Sequence, residues 1–145
     1  MRKHIHVGMD VGASAVKCIV LDTDGKILWR QYIHHDCRVM ETVERVMTDL
    51  VAVYEGSEEF LCMTGQGGED IAERFGVSFI PEIAAQTNYL SRFGRDVDAV
   101  IEIGGESAKI TYLHPVVDQR VNRICAGGTG AFMDHMATLL GTDTM

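Results

Sequence analysis

The chain has 145 residues, 46% of them hydrophobic and 23% charged, with a net charge of −8 at pH 7 and a sequence pI near 5.1. A chain of this size buries roughly 70% of its unfolded surface, enough for a real core, and its acidic balance argues against nucleic-acid and anionic-membrane partners, which want clustered Lys and Arg. No apolar run approaches the roughly 20 residues of a membrane span, and the opening MRKHIHVGMDVG reaches glycine and aspartate too soon for a signal peptide, so a cytoplasmic protein is expected.

HIHVGMD alternates, with Ile5, Val7 and Met9 on one side, which predicts a strand. After a turn at Gly12 to Ser14, AVKCIVLD predicts a second strand; TDG (23–25) marks a hairpin and KILWRQYI a third strand. Val39, Met40, Val43, Val46, Met47, Leu50, Val51 and Tyr54 then recur at helical spacing, giving an amphipathic helix over about 39–55. FLCMTG predicts a fourth strand, GEDIAERFG a short helix closed by Gly76, VSFIPE a fifth strand, and EIAAQTNYLSRFG a helix closed by Gly94. The pattern restarts with strands at DAVIEIGG, SAKITYL and VVDQRVNR. A final helix follows, whose stripe of Met133, Met136, Leu139 and Leu140 reads as core. Three antiparallel strands followed by βαβ units predict an α/β domain with a mixed sheet flanked by helices.

Glycine is over-represented, with 15 residues against an ordinary ~7%. Much of it is clustered: Gly8 and Gly12; Gly65, Gly67 and Gly68; Gly104 and Gly105; Gly127, Gly128 and Gly130. Clusters of this kind mark turns where a backbone approaches something closely. The four cysteines are widely spaced without a C-x-x-C pair, which predicts reduced thiols. Cys18, Cys37 and Cys62 lie in or beside apolar stretches and read as inert. HHD (34–36) offers metal-ligating groups but no third ligand nearby in sequence.

The chain also contains an internal repeat. Laid over EIGGESAKITYL (102–113), DVGASAVKCIVL (10–21) brings Gly12 onto Gly104, Lys17 onto Lys109, Leu21 onto Leu113 and Asp10 onto Glu102. Each copy reads as strand, acidic residue, glycine turn, strand. Two such turns are suited to holding a polyphosphate with backbone N–H groups while the acids bind its Mg²⁺. Two ordinary hairpins with a common turn type would read the same way.

These residues resemble the superfamily of actin, the heat-shock chaperones and the sugar kinases. GMDVGASAVK (8–17) is similar to its phosphate-1 motif and VIEIGGESAK (100–109) to phosphate-2. PEIAAQT (81–87) resembles the helix start that follows the fifth strand in the chaperones, and AGGTGAF (126–132) a later phosphate-contacting loop. Within the superfamily, NRICAGGTGAFMDHMATLLG resembles the activators of 2-hydroxyacyl-CoA dehydratases and the related benzoyl-CoA reductase ATPase subunits, above all their long, multi-domain form. Glu102 and Ser107 depart from the short activators, which carry aspartates there.

The resemblance implies a ribonuclease H-like (actin-like ATPase) fold, with a first lobe over 1–96 and the beginning of a second over 97–145. It implies ATP or ADP with Mg²⁺ as ligands. Asp10 is then the Mg²⁺ residue, acting through water, or else a turn cap. Gly12, Ala13 and Ser14 offer N–H groups, and Ser14 its hydroxyl, to the phosphates. Lys17 either neutralises phosphate charge or is a solvated strand lysine. Glu82 orients the attacking water, or simply complements a helix dipole. Glu102, Gly104, Gly105 and Glu106 form the opposing turn, and Gly127, Gly128, Thr129 and Gly130 the later loop. Cys125, just before that loop and at the start of a helix, is matched to a ligand of a 4Fe-4S cluster shared across a homodimer; a helix N-terminus favours a thiolate.

The implied partners are a CoA-ester dehydratase or reductase and an electron donor such as ferredoxin or flavodoxin. The chain is expected to be an N-terminal piece of a longer protein, since residues 97–145 supply only three strands and one helix, and by itself to bind ATP poorly. A kinase for a sugar or small acid, which would need an aspartate base close to the phosphates that neither Asp70 nor Asp98 matches well, and a non-catalytic docking or dimerisation module stand as alternatives.

Overall fold

The structure is a computed structural model that describes residues 4–93, 97–105, 107–122 and 129–142. The chain packs as two units, one ending at Glu82 and one beginning at Ile83. The helix expected to close the first lobe thus falls, apart from its first residue, in the second unit.

The first unit is built on a five-stranded sheet. β1 (His4–Val11), β2 (Ala15–Asp22) and β3 (Ile27–His34) form an antiparallel meander. α1 (Val39–Tyr54) then leads to β4 (Glu58–Thr64), which lies parallel to β1 on its free side. α2 (Gly68–Phe75) leads to β5 (Ser78–Phe79), parallel to β4. The order is β3-β2-β1-β4-β5, the mixed sheet expected from the sequence.

Period-two alternation explains the core. Ile5, Val7, Met9 and Val11 all point to one face, and the register sets Val16, Cys18 and Val20 of β2 and Met63 of β4 beside them. Val43, Val46 and Leu50 of α1 and Ile71 and Ala72 of α2 cover that face. Each of the Val, Leu, Ile and Met side chains among them, fully buried, contributes roughly 1.5–3 kcal/mol. The β2–β3 turn is held by Asp22, whose carboxylate accepts the N–H groups of Asp24 (3.0 Å) and Lys26 (2.8 Å). Gly76 closes α2 in the left-handed conformation, as a C-terminal glycine should. β5 is shorter than the VSFIPE stretch because Pro81 has no N–H for the ladder; one further bond, from Ile80 N–H to Met63 O at 2.9 Å, ends the pairing.

In the second unit α3 (Glu82–Phe93) precedes a three-stranded antiparallel sheet of β6 (Ala99–Ile103), β7 (Ala108–Tyr112) and β8 (Asp118–Asn122), in that order. α4 (Gly130–Leu140) ends the described chain. Here one expectation fails. The α4 stripe is not core: Met133, Leu139 and Leu140 are 45%, 68% and 78% exposed, Met136 is half-buried, and among the described side chains of the helix Ala137 is the buried one. The helix is apolar on more than one side, so its pattern could not say which side packs.

Candidate functional site

The repeat seen in sequence is a repeat in three dimensions. In the first hairpin Asp10 and Lys17 are direct cross-strand partners, joined by a 2.8 Å ion pair, and the Gly12 N–H donates to Ala15 O at 3.0 Å to close the turn. In the second, Glu102 and Lys109 are partners at 3.4 Å, and the Gly104 N–H donates to Ser107 O at 2.8 Å. Acid, glycine, turn acceptor and lysine occupy the same four places in each copy. Because Gly12 and Gly104 use their own N–H groups inside the turns, the donors left for a ligand on the first turn belong to Ala13 and Ser14.

The two acids differ in what they can still bind. Asp10 Oδ2 is taken by Lys17, but Asp10 Oδ1 is buried and has no hydrogen-bond partner among the described residues. The same holds for the Thr64 hydroxyl, which stands opposite Asp10 in the β1–β4 register. Each strand of the parallel pair therefore carries one orphaned oxygen at this register position, on strands about 4.8 Å apart. Buried polar atoms of this kind call for a water or an ion. Mg²⁺ keeps several waters and takes only one or two carboxylates, so Asp10 fits the role expected of it. Glu102 fits less well: Oε1 faces Lys109, and Oε2 accepts a 2.7 Å bond from Gln86 of α3.

The glycines after β4 shape the first site. Gly65 has φ +97°, and a Cβ there would lie 2.5 Å from Asp10 Oδ1 and overlap the Val11 carbonyl; the Gly67 N–H donates to that same carbonyl at 3.0 Å. The 64–68 loop is therefore moulded onto the end of β1. The close approach expected of the Gly65, Gly67 and Gly68 cluster is thus to the Val11 carbonyl and Asp10.

In the second unit α4 starts against the Gly104 turn. The Gly130 N–H donates to Gly104 O at 2.7 Å, and a Cβ on Gly130 would come within 3.1 Å of that oxygen. Thr129, fully buried, precedes it as the N-cap residue. Gly104, Gly105, Thr129 and Gly130 thus come together beside the positive end of a helix dipole, a place that favours anions. Glu82 is half-buried and opens α3. Glu106, Cys125, Gly127 and Gly128 lie outside the described residues.

The remaining cysteines separate by burial. Burial pushes the Cys18 thiol up to about 12, against a slight opposing pull from the backbone at Ile19, and burial raises the Cys62 thiol as well. Cys37 is exposed. In HHD, both ring nitrogens of His35 contact backbone: Nε2 lies 3.3 Å from Gly12 O, and Nδ1 accepts the Cys37 N–H at 3.1 Å. Among the described residues no three His, Cys, Asp or Glu side chains come together to hold a metal, and no helix is long and apolar enough to cross a membrane.

No protein-family model matches the chain. It is 27% identical over 138 residues to the (R)-2-hydroxyglutaryl-CoA dehydratase activating ATPase of Acidaminococcus fermentans, a match covering 92% of this chain and 53% of that protein. The crystal structure of component A of the same organism's dehydratase superposes with a TM-score of 0.77 at 26% identity, over 96% of this chain and 55% of that one. The activator of the 2-hydroxyisocaproyl-CoA dehydratase from Clostridium difficile, solved with bound ADPNP, shares the fold with a TM-score of 0.71 at 23% identity, over 96% and 53% of the two chains. The chain therefore spans just over half the length of the relatives it matches. It is a homologue of the (R)-2-hydroxyglutaryl-CoA dehydratase activating ATPase, on the fold of the actin-like ATPases.

Proposed function

We propose that this chain is the N-terminal portion of a cytoplasmic, ATP-dependent iron–sulfur activator that delivers an electron to a 2-hydroxyacyl-CoA dehydratase or a related CoA-ester reductase. The observation that carries the reading is the repeated hairpin: two acid–lysine pairs and two glycine turns in matching places, one of them still holding an unsatisfied carboxylate oxygen. Homology to an activating ATPase over nearly the whole chain supports it. In this reading residues 1–96 form the first lobe of the ATPase, and residues 97–145 begin the second.

Asp10 would hold Mg²⁺, which neutralises phosphate charge when bound. Ala13 and Ser14 would bind the phosphates from the first turn, and Gly105 and Glu106 from the second, with Lys17 adding positive charge. Glu82, at the start of α3, would accept a hydrogen bond from the attacking water, a positioning role of the kind phosphoryl transfer depends on. Because the Gly130 N–H is bonded to Gly104 O, a shift of the turn moves the start of α4 with it. Thr129 and Gly130 thereby link the nucleotide to the segment carrying Gly127, Gly128 and Cys125. Cys125 would supply the thiolate for a 4Fe-4S cluster shared in a homodimer and fed by a ferredoxin or flavodoxin. The exposed apolar side chains of α4 are of the kind that protein contacts cover, which supports association on this side.

The test uses the protein as its gene encodes it, purified without oxygen. ATP hydrolysis and iron content are measured for wild type, Asp10→Asn and Cys125→Ala. The reading expects hydrolysis to fall about 100-fold in Asp10→Asn with iron retained, and iron to be lost in Cys125→Ala with nucleotide binding retained. Iron retained in Cys125→Ala would remove the cluster assignment. Residues 1–145 alone should bind ATP weakly; a low-micromolar dissociation constant for them would remove the two-lobe requirement.

A further inference from the structure

We propose that His35 is a positioning residue for the first glycine turn, its neutral ring pinning the Gly12 carbonyl so that the Ala13 N–H points out to a phosphate. The phosphate part rests on the nucleotide reading above; the anchoring part stands on geometry alone.

His35 is 5% exposed, just after β3, and makes four contacts that converge on the turn and on its own loop. Its backbone N–H donates to Ser14 O at 3.2 Å, and its ring Nε2 lies 3.3 Å from Gly12 O. Nδ1 accepts the Cys37 N–H at 3.1 Å. A backbone carbonyl has no hydrogen to give, and a nitrogen accepting an N–H carries none. The proton must therefore be on Nε2, which donates to Gly12 O, and the ring is neutral.

The peptide joining Gly12 to Ala13 is planar and trans, so its C=O and N–H point in opposite directions. Holding the Gly12 carbonyl toward His35 therefore turns the Ala13 N–H away from it. Ala13 is exposed, and Gly12 has already used its own N–H on Ala15 O, so Ala13 is the first turn donor that His35 leaves outward.

The chain accepts local strain to place this ring. Asp36 and Cys37 are consecutive non-glycine residues with φ of +47° and +64°. L-residues adopt that region at a cost, and such residues persist where surrounding contacts over-determine them. The contacts here are the Cys37 N–H on Nδ1 and the Arg38 N–H, which donates to His35 O at 2.7 Å. The loop from 36 to 38 folds back on His35 and fixes both the ring orientation and its tautomer.

The experiment pairs a spectroscopic readout with three variants, on the protein as its gene encodes it. Nitrogen-15 NMR of the ring should show Nδ1 unprotonated and Nε2 protonated. Calorimetry with MgADP should show His35→Ala weakened about tenfold, the equivalent of one hydrogen bond. His35→Gln, whose amide nitrogen reaches the place of Nε2, should recover most of that loss. His35→Asn, whose side chain reaches only the place of Nδ1, should not. An Nδ1-protonated ring, a His35→Ala variant as tight as wild type, or a His35→Gln variant as weak as His35→Ala would overturn the proposal. If the wild type itself binds no MgADP, the nucleotide reading falls, and the ring tautomer decides the anchoring claim.

Discussion

Gly65→Ala perturbs the first site at its most constrained point. Two costs add. An alanine at φ +97° carries a backbone penalty of about 1–2 kcal/mol. Its Cβ would also lie 2.5 Å from Asp10 Oδ1 and overlap the Val11 carbonyl. The Asp10 side chain can swing aside, but only by leaving its 2.8 Å pair with Lys17. The Val11 carbonyl belongs to a fully buried strand end and accepts the Gly67 N–H, so it cannot yield without moving the loop. Overpacking of this kind costs about 1–3 kcal/mol, and the sum is about 2–5 kcal/mol. Gly56→Ala is the control: its φ of +80° carries a similar backbone penalty, with nothing within 4 Å to strike. Urea unfolding of both variants isolates the contact cost. A Gly65→Ala variant no less stable than Gly56→Ala would refute the claim that the 64–68 loop is moulded onto β1.

Other consequences follow from the same contacts. Gly130→Ala should destabilise the second unit by about 1–3 kcal/mol despite alanine's better helix propensity, because the Cβ comes 3.1 Å from Gly104 O; a stabilised variant in denaturant titration would show the α4 start to be loose. Thr64→Val should leave unfolding free energy unchanged or raise it by up to about 1 kcal/mol, since it removes a buried hydroxyl that has no partner among the described residues; a loss of more than about 2 kcal/mol in the same titration would reveal a partner. Cys18 makes stability pH-dependent at the alkaline end. The unfolded thiol ionises above its ordinary value of 9.0 while the folded thiol stays neutral to about 12, so the unfolded state binds fewer protons in that window. Stability should fall there by up to about 1.4 kcal/mol per pH unit from this group, and Cys18→Ala should show a correspondingly shallower slope between pH 9 and 11.

Much of this architecture was legible because its signals are periodic. The alternation of Ile5, Val7 and Met9 and the helical spacing from Val39 to Tyr54 specify both the elements and the faces they bury. The acid–glycine–lysine repeat was legible too, since a cross-strand pair flanking a tight turn has a fixed spacing in sequence. What escaped was contact between segments far apart in the chain. His35 reaches the glycine turn across 23 residues, and Gln86 reaches Glu102 across 16; neither spacing follows from local propensity. The α4 stripe misled for a related reason, because a helix apolar on several sides does not record which side meets the sheet. The short β5 was readable in hindsight from Pro81, whose missing N–H limits the ladder.

If Asp10, with its unpartnered carboxylate oxygen, is the metal end of a nucleotide site, calorimetry of ADP with and without Mg²⁺ on the protein as its gene encodes it, wild type beside Asp10→Asn, will show it. Mg²⁺ should strengthen ADP binding in the wild type, this gain should fall about tenfold or more in Asp10→Asn, and binding of metal-free ADP should be unchanged by the substitution. An Asp10→Asn variant that keeps the full Mg²⁺ gain, or a wild type that shows none, would contradict it.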